Sequence, residues 1–211
     1  MAFTFTAPVA DLYNQCETLR AANNNVYLIY RFDNNDQTLE AIWDAGYRSG
    51  RENFFRDGVA LHHPVEKLQR QAMNNSAFLV GANGKSTGAA LRGFTHAPSE
   101  NQIGGHAEEF LIQKLMMLSM PPHEIDIYIS RIPCAATSMP WNFRFNGNVM
   151  KLPGGCGPKL YTAMKLTPQI KWNLAYGESY SGAMQTSCRE AIDRMNLLPN
   201  AVAGHISTFL G

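Results

Sequence analysis

From about residue 76 onward, strand-like and helix-like stretches alternate along the chain, and that order narrows the possible folds more than any other feature. Residues 76–81 and 87–94 are apolar runs around Asn83-Gly84-Lys85, a hairpin signal because Asn-Gly readily takes positive φ. Ala107, Phe110, Leu111, Leu115 and Leu118 recur at helical spacing until Pro121-Pro122. Residues 125–130 alternate as a strand does, and Pro133-Cys134 follows directly. Cys156-Gly157-Pro158 opens a helix through Met164, residues 170–176 read as a strand, and residues 182–198 read as a helix before Pro199. Trp141-Asn142-Phe143-Arg144-Phe145, closed by Asn146-Gly147, is inserted between the two cysteines. The order β-β-α-β-(insertion)-α-β-α predicts an α/β sandwich with helices covering a mixed sheet.

Upstream, the signals are less regular. Phe3 and Phe5 alternate, Leu12, Cys16 and Leu19 follow a helical pattern, and residues 26–30 form a β-branched and aromatic run ending at Arg31. Asp36 is placed to cap a helix with Leu39, Ile42 and Trp43 on its apolar face, stopped by Gly46. Residues 48–64 read as a loop and 65–73 as a short polar helix. The expected organisation is an appended N-terminal module over 1–70 and a main domain over 71–211.

Composition bounds the class of protein. With 45% apolar and 17% charged residues the chain has the means to build a core, and disorder is excluded. A net charge of +1 neither marks nor excludes a nucleic-acid binder, since a local basic groove is compatible with a neutral total. No stretch approaches the roughly 18 apolar residues of a membrane span, and the first twenty residues lack a basic start followed by an apolar block. The expectation is a protein working in a cytoplasm, its own or that of a target cell. Four cysteines are too few for a disulfide scaffold at this length, so those beside a His-x-Glu element are better read as metal ligands.

His106-Ala107-Glu108 stands at an expected helix start, and Pro133-Cys134 stands at an expected strand end. Removing an amine hydrolytically from a pyrimidine or purine ring needs a zinc ion, an open coordination position for water, and a carboxylate that relays protons. One imidazole and two thiolates leave that fourth position open. The positive ends of helices favour thiolate over thiol. Each residue also has a bland reading. Acidic residues favour helix starts in any case, and an isolated cysteine is usually a small buried hydrophobe. Cys16 and Cys188 are read as core thiols, and His62, His63, His96 and His205 have no partner spacing.

Gly104-Gly105-His106-Ala107-Glu108-Glu109, then Tyr128-Ile129-Ser130-Arg131-Ile132-Pro133-Cys134, then Gly155-Cys156-Gly157 resembles the cytidine deaminase superfamily, most of all its bacterial toxin-type branch acting on nucleic acids. The resemblance spans about residues 76–176. It implies a cytidine-deaminase-like three-layer sandwich, zinc on His106, Cys134 and Cys156, and Glu108 as the catalytic proton carrier. One departure stands out: the two cysteines are 22 positions apart rather than three, as in branches with long insertions. His123 or a side chain of the insertion are the alternative third ligands. Cytosine rather than adenine is the base the toxin-type branch implies. Whether an immunity protein pairs with the chain is not legible, nor is its oligomeric state.

For substrate contacts, Trp141 and Phe143 form a candidate platform for a flipped or single-stranded base, with Arg144 near phosphate. The plainer reading is a hairpin completing the core. Arg131, Lys151 and Lys159 are candidates for a phosphate track or ordinary surface charges, and Asn83 and Asn101 for contacts at the mouth. A nucleoside or nucleotide deaminase and a non-catalytic zinc-stabilised binding module are further readings; Glu108 argues against the latter.

A second resemblance competes. Tyr30-Arg31-Phe32-Asp33 followed by Ala45-Gly46-Tyr47 is similar to the opening of ADP-ribosylating toxins, which implies that Arg31 grips NAD and that Glu108 or Glu109 is catalytic. The interval from Phe78 to Glu108 is too short for the strands such a fold needs there. That reading also leaves both cysteine motifs as accidents. Under the deaminase reading, Arg31 is expected to pair with Asp33 or Asp36.

Overall fold

Six consecutive buried residues, Tyr27–Phe32, form β1, a strand covered on both faces and therefore central. The protein is described here from a computed structural model covering residues 3–23, 26–43, 79–81, 106–118, 120–135, 141–145 and 148–209. A helix, α1 (Ala7–Asn23), precedes β1, and β2 (Asn35–Trp43) follows it. Then come β3 (Leu79–Gly81), α2 (Ala107–Met117), β4 (Glu124–Arg131), the pair β5 (Trp141–Phe145) and β6 (Asn148–Leu152), and α3 (Cys156–Leu166). The chain continues through β7 (Lys171–Glu178), α4 (Ala183–Asn196), β8 (Ala201–His205) and a 3-10 turn, Ile206–Thr208.

Among the described residues the main sheet has six strands in the order β3-β2-β1-β4-β7-β8, and β5-β6 is a separate antiparallel pair. The pairs β3/β2, β2/β1 and β1/β4 are antiparallel, whereas β4/β7 and β7/β8 are parallel. The protein is thus α/β with a mixed, open sheet. Crossover helices α3 and α4 lie on the same face, as successive crossovers of one hand require when strands are added in one direction.

Alternation along the strands sorts two apolar clusters to the two faces. On one face Leu28, Tyr30, Ile127, Ile129, Trp172 and Leu174 pack against α2, α3 and α4 through Leu111, Leu160, Met164, Ile192 and Met195. On the other, Tyr27, Ile29, Leu39, Ala41 and Tyr128 meet Val9, Leu12 and Cys16 of α1. Aromatic rings gather there around Tyr128, with Tyr13 at 5.3 Å, Tyr27 at 5.9 Å and Phe5 at 6.3 Å between centroids. Helices on both faces make three layers.

Two expectations need correction. Of the helix expected from Asp36 to Gly46, the described residues 36–43 are strand: Asp33 and Asn34 have φ of 52° and 54°, a two-residue turn of the type that suits a tight hairpin, and β2 starts at Asn35. Asp36 caps nothing. Its carboxylate accepts from Arg31 Nη1 at 2.7 Å, and Asp33 Oδ1 accepts the backbone N–H groups of His123 and Glu124. The second correction concerns residues 1–70, which are not an appended module as far as they are described. β1 pairs directly with β4, so the β1–β2 hairpin lies inside the same sheet that leads to Cys134. A strand buried on both faces cannot be an appendage, because α1 covers one face and α2 and α3 the other. Of the hairpin expected at 76–94, the described part is β3, on the edge beside β2; Asn83 lies outside the described residues.

β8 carries little apolar signal in Ala-Val-Ala-Gly-His, and long-range hydrogen bonds place it. Asn200 donates to the carbonyls of Met164, Thr167 and Ile170 at 3.1, 3.1 and 2.9 Å, and Asn196 exchanges two bonds with Ala203. Among the described residues no helix is long and apolar enough to cross a membrane.

Arg31 is 2% exposed and holds Asp126, also 2% exposed, at 2.7 Å; Asp126 in turn accepts from Asn173 at 2.8 Å. The Arg31→Leu variant is expected to lose about 3–5 kcal/mol of stability, because it strands a buried carboxylate. Urea unfolding measures this, and a loss below about 1 kcal/mol would show the pair to be dispensable.

Candidate metal centre

β4 runs parallel to β7, and ligand sites in such sheets form beyond the carboxyl ends of the parallel strands. Ile132 makes the last ladder bond, from its N–H to the Glu178 carbonyl at 2.7 Å, and Pro133 cannot extend it. The chain therefore turns at Cys134, beside the first residue of α3. Gly157 N–H donates to the Cys134 carbonyl at 2.9 Å, and Cys156 N–H donates to Cys134 Sγ at 3.3 Å. Gly155 takes φ 82° to make the entry into α3, a left-handed conformation that a side chain would strain. His106 is the N-cap of α2 and brings its imbazole-bearing side chain to the same place, with Nδ1 3.9 Å from Cys134 Sγ.

The donor atoms of His106, Cys134 and Cys156 all lie within 4.8 Å of one another, and this group could hold a metal ion. Both cysteines are buried, and His106 is partly exposed. Burial, then the contact with Cys134 and the charge of Glu108, push the Cys156 thiol well above its ordinary pKa. At neutral pH it becomes a thiolate only with a cation beside it, so loading the site would release protons.

Glu108 occupies the second position of α2 and is 2% exposed. Its negative charge is among the causes that raise the pKa values of both Cys156 and Cys188, so it lies in the neighbourhood of those two sulfurs. Glu109 is 1% exposed and forms a buried ion pair with Lys159 at 2.7 Å. Lys159, read from the sequence as a phosphate contact or a surface charge, is neither. It is 0% exposed, on the helix that Cys156 opens.

The other sequence candidates are distributed as follows. Arg131 ends β4, hydrogen-bonds Glu178 at 3.1 Å and lies 5.4 Å from the centre of the Tyr180 ring. Glu178 also binds Arg20 at 2.5 Å, and these contacts, Arg20 first, hold its carboxyl below the ordinary range despite some burial. Lys151 is exposed. Trp141, Phe143 and Arg144 lie in β5, opposite Leu152, Met150 and Val149 of β6, so the insertion is a hairpin; their side chains lie outside what is described. Asn101 is outside the described residues. His123 sits at the start of β4, at the far end from Cys134, which removes it as an alternative ligand. Arg31 faces Asp126 at that same far end, away from Glu108 and Glu109, and it does pair with Asp36 as one sequence reading expected.

Cys188 is a neighbour that the sequence did not single out. It is buried on α4, its sulfur interacts with the Ala135 backbone, and burial raises its pKa. Only its helical spacing with Ala191, Ile192 and Met195 was legible, which marks a core position. A groove of about 380 Å³ begins at Ala135 and runs between α3 and α4 past Pro158, Tyr161 and Arg194, alongside the cluster rather than over it.

Close approach of α3 to α4 fixes this corner. A Cβ on Gly157 would stand 2.9 Å from Ala191 Cβ and 3.5 Å from the Cys134 carbonyl. Gly157→Ala is expected to cost about 1–3 kcal/mol by overpacking and to loosen metal retention. Thermal unfolding with and without chelator checks this, and an unchanged melting temperature would show that the corner yields freely.

No protein-family model, curated protein or solved structure matches the chain.

Proposed function

We propose that this chain is a zinc-dependent hydrolytic deaminase converting cytosine to uracil, with nucleic acid as the substrate class. The observation that carries the proposal is a set of one imidazole and two sulfurs at the mouth of β4, with a buried carboxylate two residues from the imidazole. Zinc bound by such a set has ligand distances of about 2.0–2.3 Å, which correspond to edges of roughly 3.5–3.8 Å between ligands, near the 3.9 Å separating His106 and Cys134. The three donors found among the described residues leave a position for water, whereas a purely structural site favours a fourth. Zinc supplies, when bound, the acidification of water to near-neutral pKa.

The residues of the chain perform the rest. Glu108 takes one proton from water and passes it to the ring nitrogen, then takes the second from the hydroxyl newly bonded to the ring carbon and delivers it to the departing amine. The amine leaves as ammonia and the ring carbon gains the oxygen, so water and cytosine become uracil and ammonia. Helix starts at His106 and Cys156 direct N–H groups toward the cluster and favour negative charge there.

The preference for cytosine and for nucleic acid, and a role as a toxin acting in a target cell's cytoplasm, are supported by the resemblance of the three motifs to the toxin-type deaminases. The test is incubation of purified protein with single-stranded DNA, duplex DNA, RNA and free cytidine, reading base changes and ammonia. Glu108→Ala is the control. Conversion by wild type alone supports the proposal, and the responding pool identifies the substrate. Failure in every pool, or equal conversion by the variant, overturns it.

A further inference from the structure

Lys159 and Glu109 are the most deeply buried ion pair among the described residues, at 0% and 1% side-chain exposure. Burying two charges is costly, and an apolar pair of similar volume usually holds a fold as well. Fold stability alone therefore gives little reason for this pair to be ionic.

Its place in the structure supplies one. Glu109 is the third residue after His106 on α2, and Lys159 is the third after Cys156 on α3. The ion pair thus joins the first turns of the two helices that each carry a donor. Lys159 Nζ meets Glu109 Oε1 at 2.7 Å, while Glu109 Oε2 accepts from the His106 backbone N–H at 3.4 Å. One carboxylate links the cap residue that carries the imidazole to the helix that carries Cys156. Cys134 needs no such link, since the N–H groups of Cys156 and Gly157 already hold it to α3. α2 is the element whose distance from the sulfurs has to be set, and the Glu109–Lys159 pair spans that gap.

We infer that Glu109 and Lys159 are a positioning pair that sets the separation of His106 from the two sulfurs and so the affinity of the site for its metal. This inference rests on the reading of the cluster as a metal centre. Outer-shell partners of this kind typically change metal affinity by about 10–100-fold when removed.

The test uses cobalt(II) as the probe, titrated against a competing chelator, with the sulfur-to-cobalt absorption read in parallel. Lys159→Met is the direct variant. Because it takes the Lys159 cation away from the buried Glu109 carboxylate, the double variant Glu109→Leu with Lys159→Met is measured with it. The double variant is expected to fold with wild-type stability in the absence of metal and to bind cobalt about 10–100-fold more weakly, with an altered absorption band. Wild-type affinity and spectrum in the double variant overturn the inference while leaving the metal reading intact. A double variant that does not fold overturns it also, showing the pair to be a requirement of the fold. Absence of cobalt binding by the wild type overturns both.

Discussion

Glu108→Gln is expected to lower cytosine conversion by about 10³–10⁴-fold while metal content stays at the wild-type level. Glutamine preserves the shape of a side chain that is only 2% exposed, so the core around α2 is disturbed less than by alanine. What it removes is the ability to accept and return protons. In the proposed relay the same carboxylate serves the water, the ring nitrogen and the leaving amine, so no single remaining group is expected to replace it. A second effect has the opposite sign. Glu108 is among the charges that raise the Cys156 pKa, so its neutralisation eases thiolate formation and leaves metal binding intact or stronger. Metal analysis together with single-turnover rates separates the two effects. Conversion by Glu108→Gln within about tenfold of wild type would remove Glu108 from the proton relay.

Cys134→Ala is expected to lose the metal and with it much of the protein's stability. At a metal concentration about 1,000 times the dissociation constant, binding contributes about 4 kcal/mol. For a domain of this size that amounts to roughly 8–16 °C in melting temperature. Cys134 Sγ also accepts the Cys156 N–H, whose loss adds about 1 kcal/mol. The decisive comparison uses a chelator: it is expected to lower the melting temperature of the wild type to near that of the variant, and to leave the variant unchanged. Full metal occupancy in Cys134→Ala would break the ligand assignment.

The candidate site was legible because its donors are announced locally. His106 and Glu108 stand two apart at the start of an apolar-periodic helix, and Cys134 follows a strand directly behind Pro133. Cys156 stands between Gly155 and Gly157 at the start of another helix. The elements α2, β4, α3, β7 and α4 followed from period and punctuation for the same reason. The misreading of residues 35–43 has an equally local cause. Leu39, Ile42 and Trp43 fit a helical face, but Leu39 and Ala41 point to one side of the sheet and Ile42 to the other. The turn at Asp33-Asn34, both with positive φ, decides between those periods, and this pair signals a hairpin less strongly than Asn-Gly does.

Taken by itself, the sequence determined the candidate donors His106, Cys134 and Cys156, their order and the elements that carry them, because each is marked by its immediate neighbours, while His123 and the insertion stayed open as third ligands. Tertiary structure decided the partners. It brought β1 beside β4, with Arg31 against Asp126, 95 positions away, and turned one apparent surface candidate, Lys159, into half of a buried pair. It also placed β8 through the Asn200 and Asn196 hydrogen bonds, and set Lys159 against Glu109 across 50 positions. The physical reason is that burial of a charge or a strand depends on what covers it, and the covering groups come from distant parts of the chain.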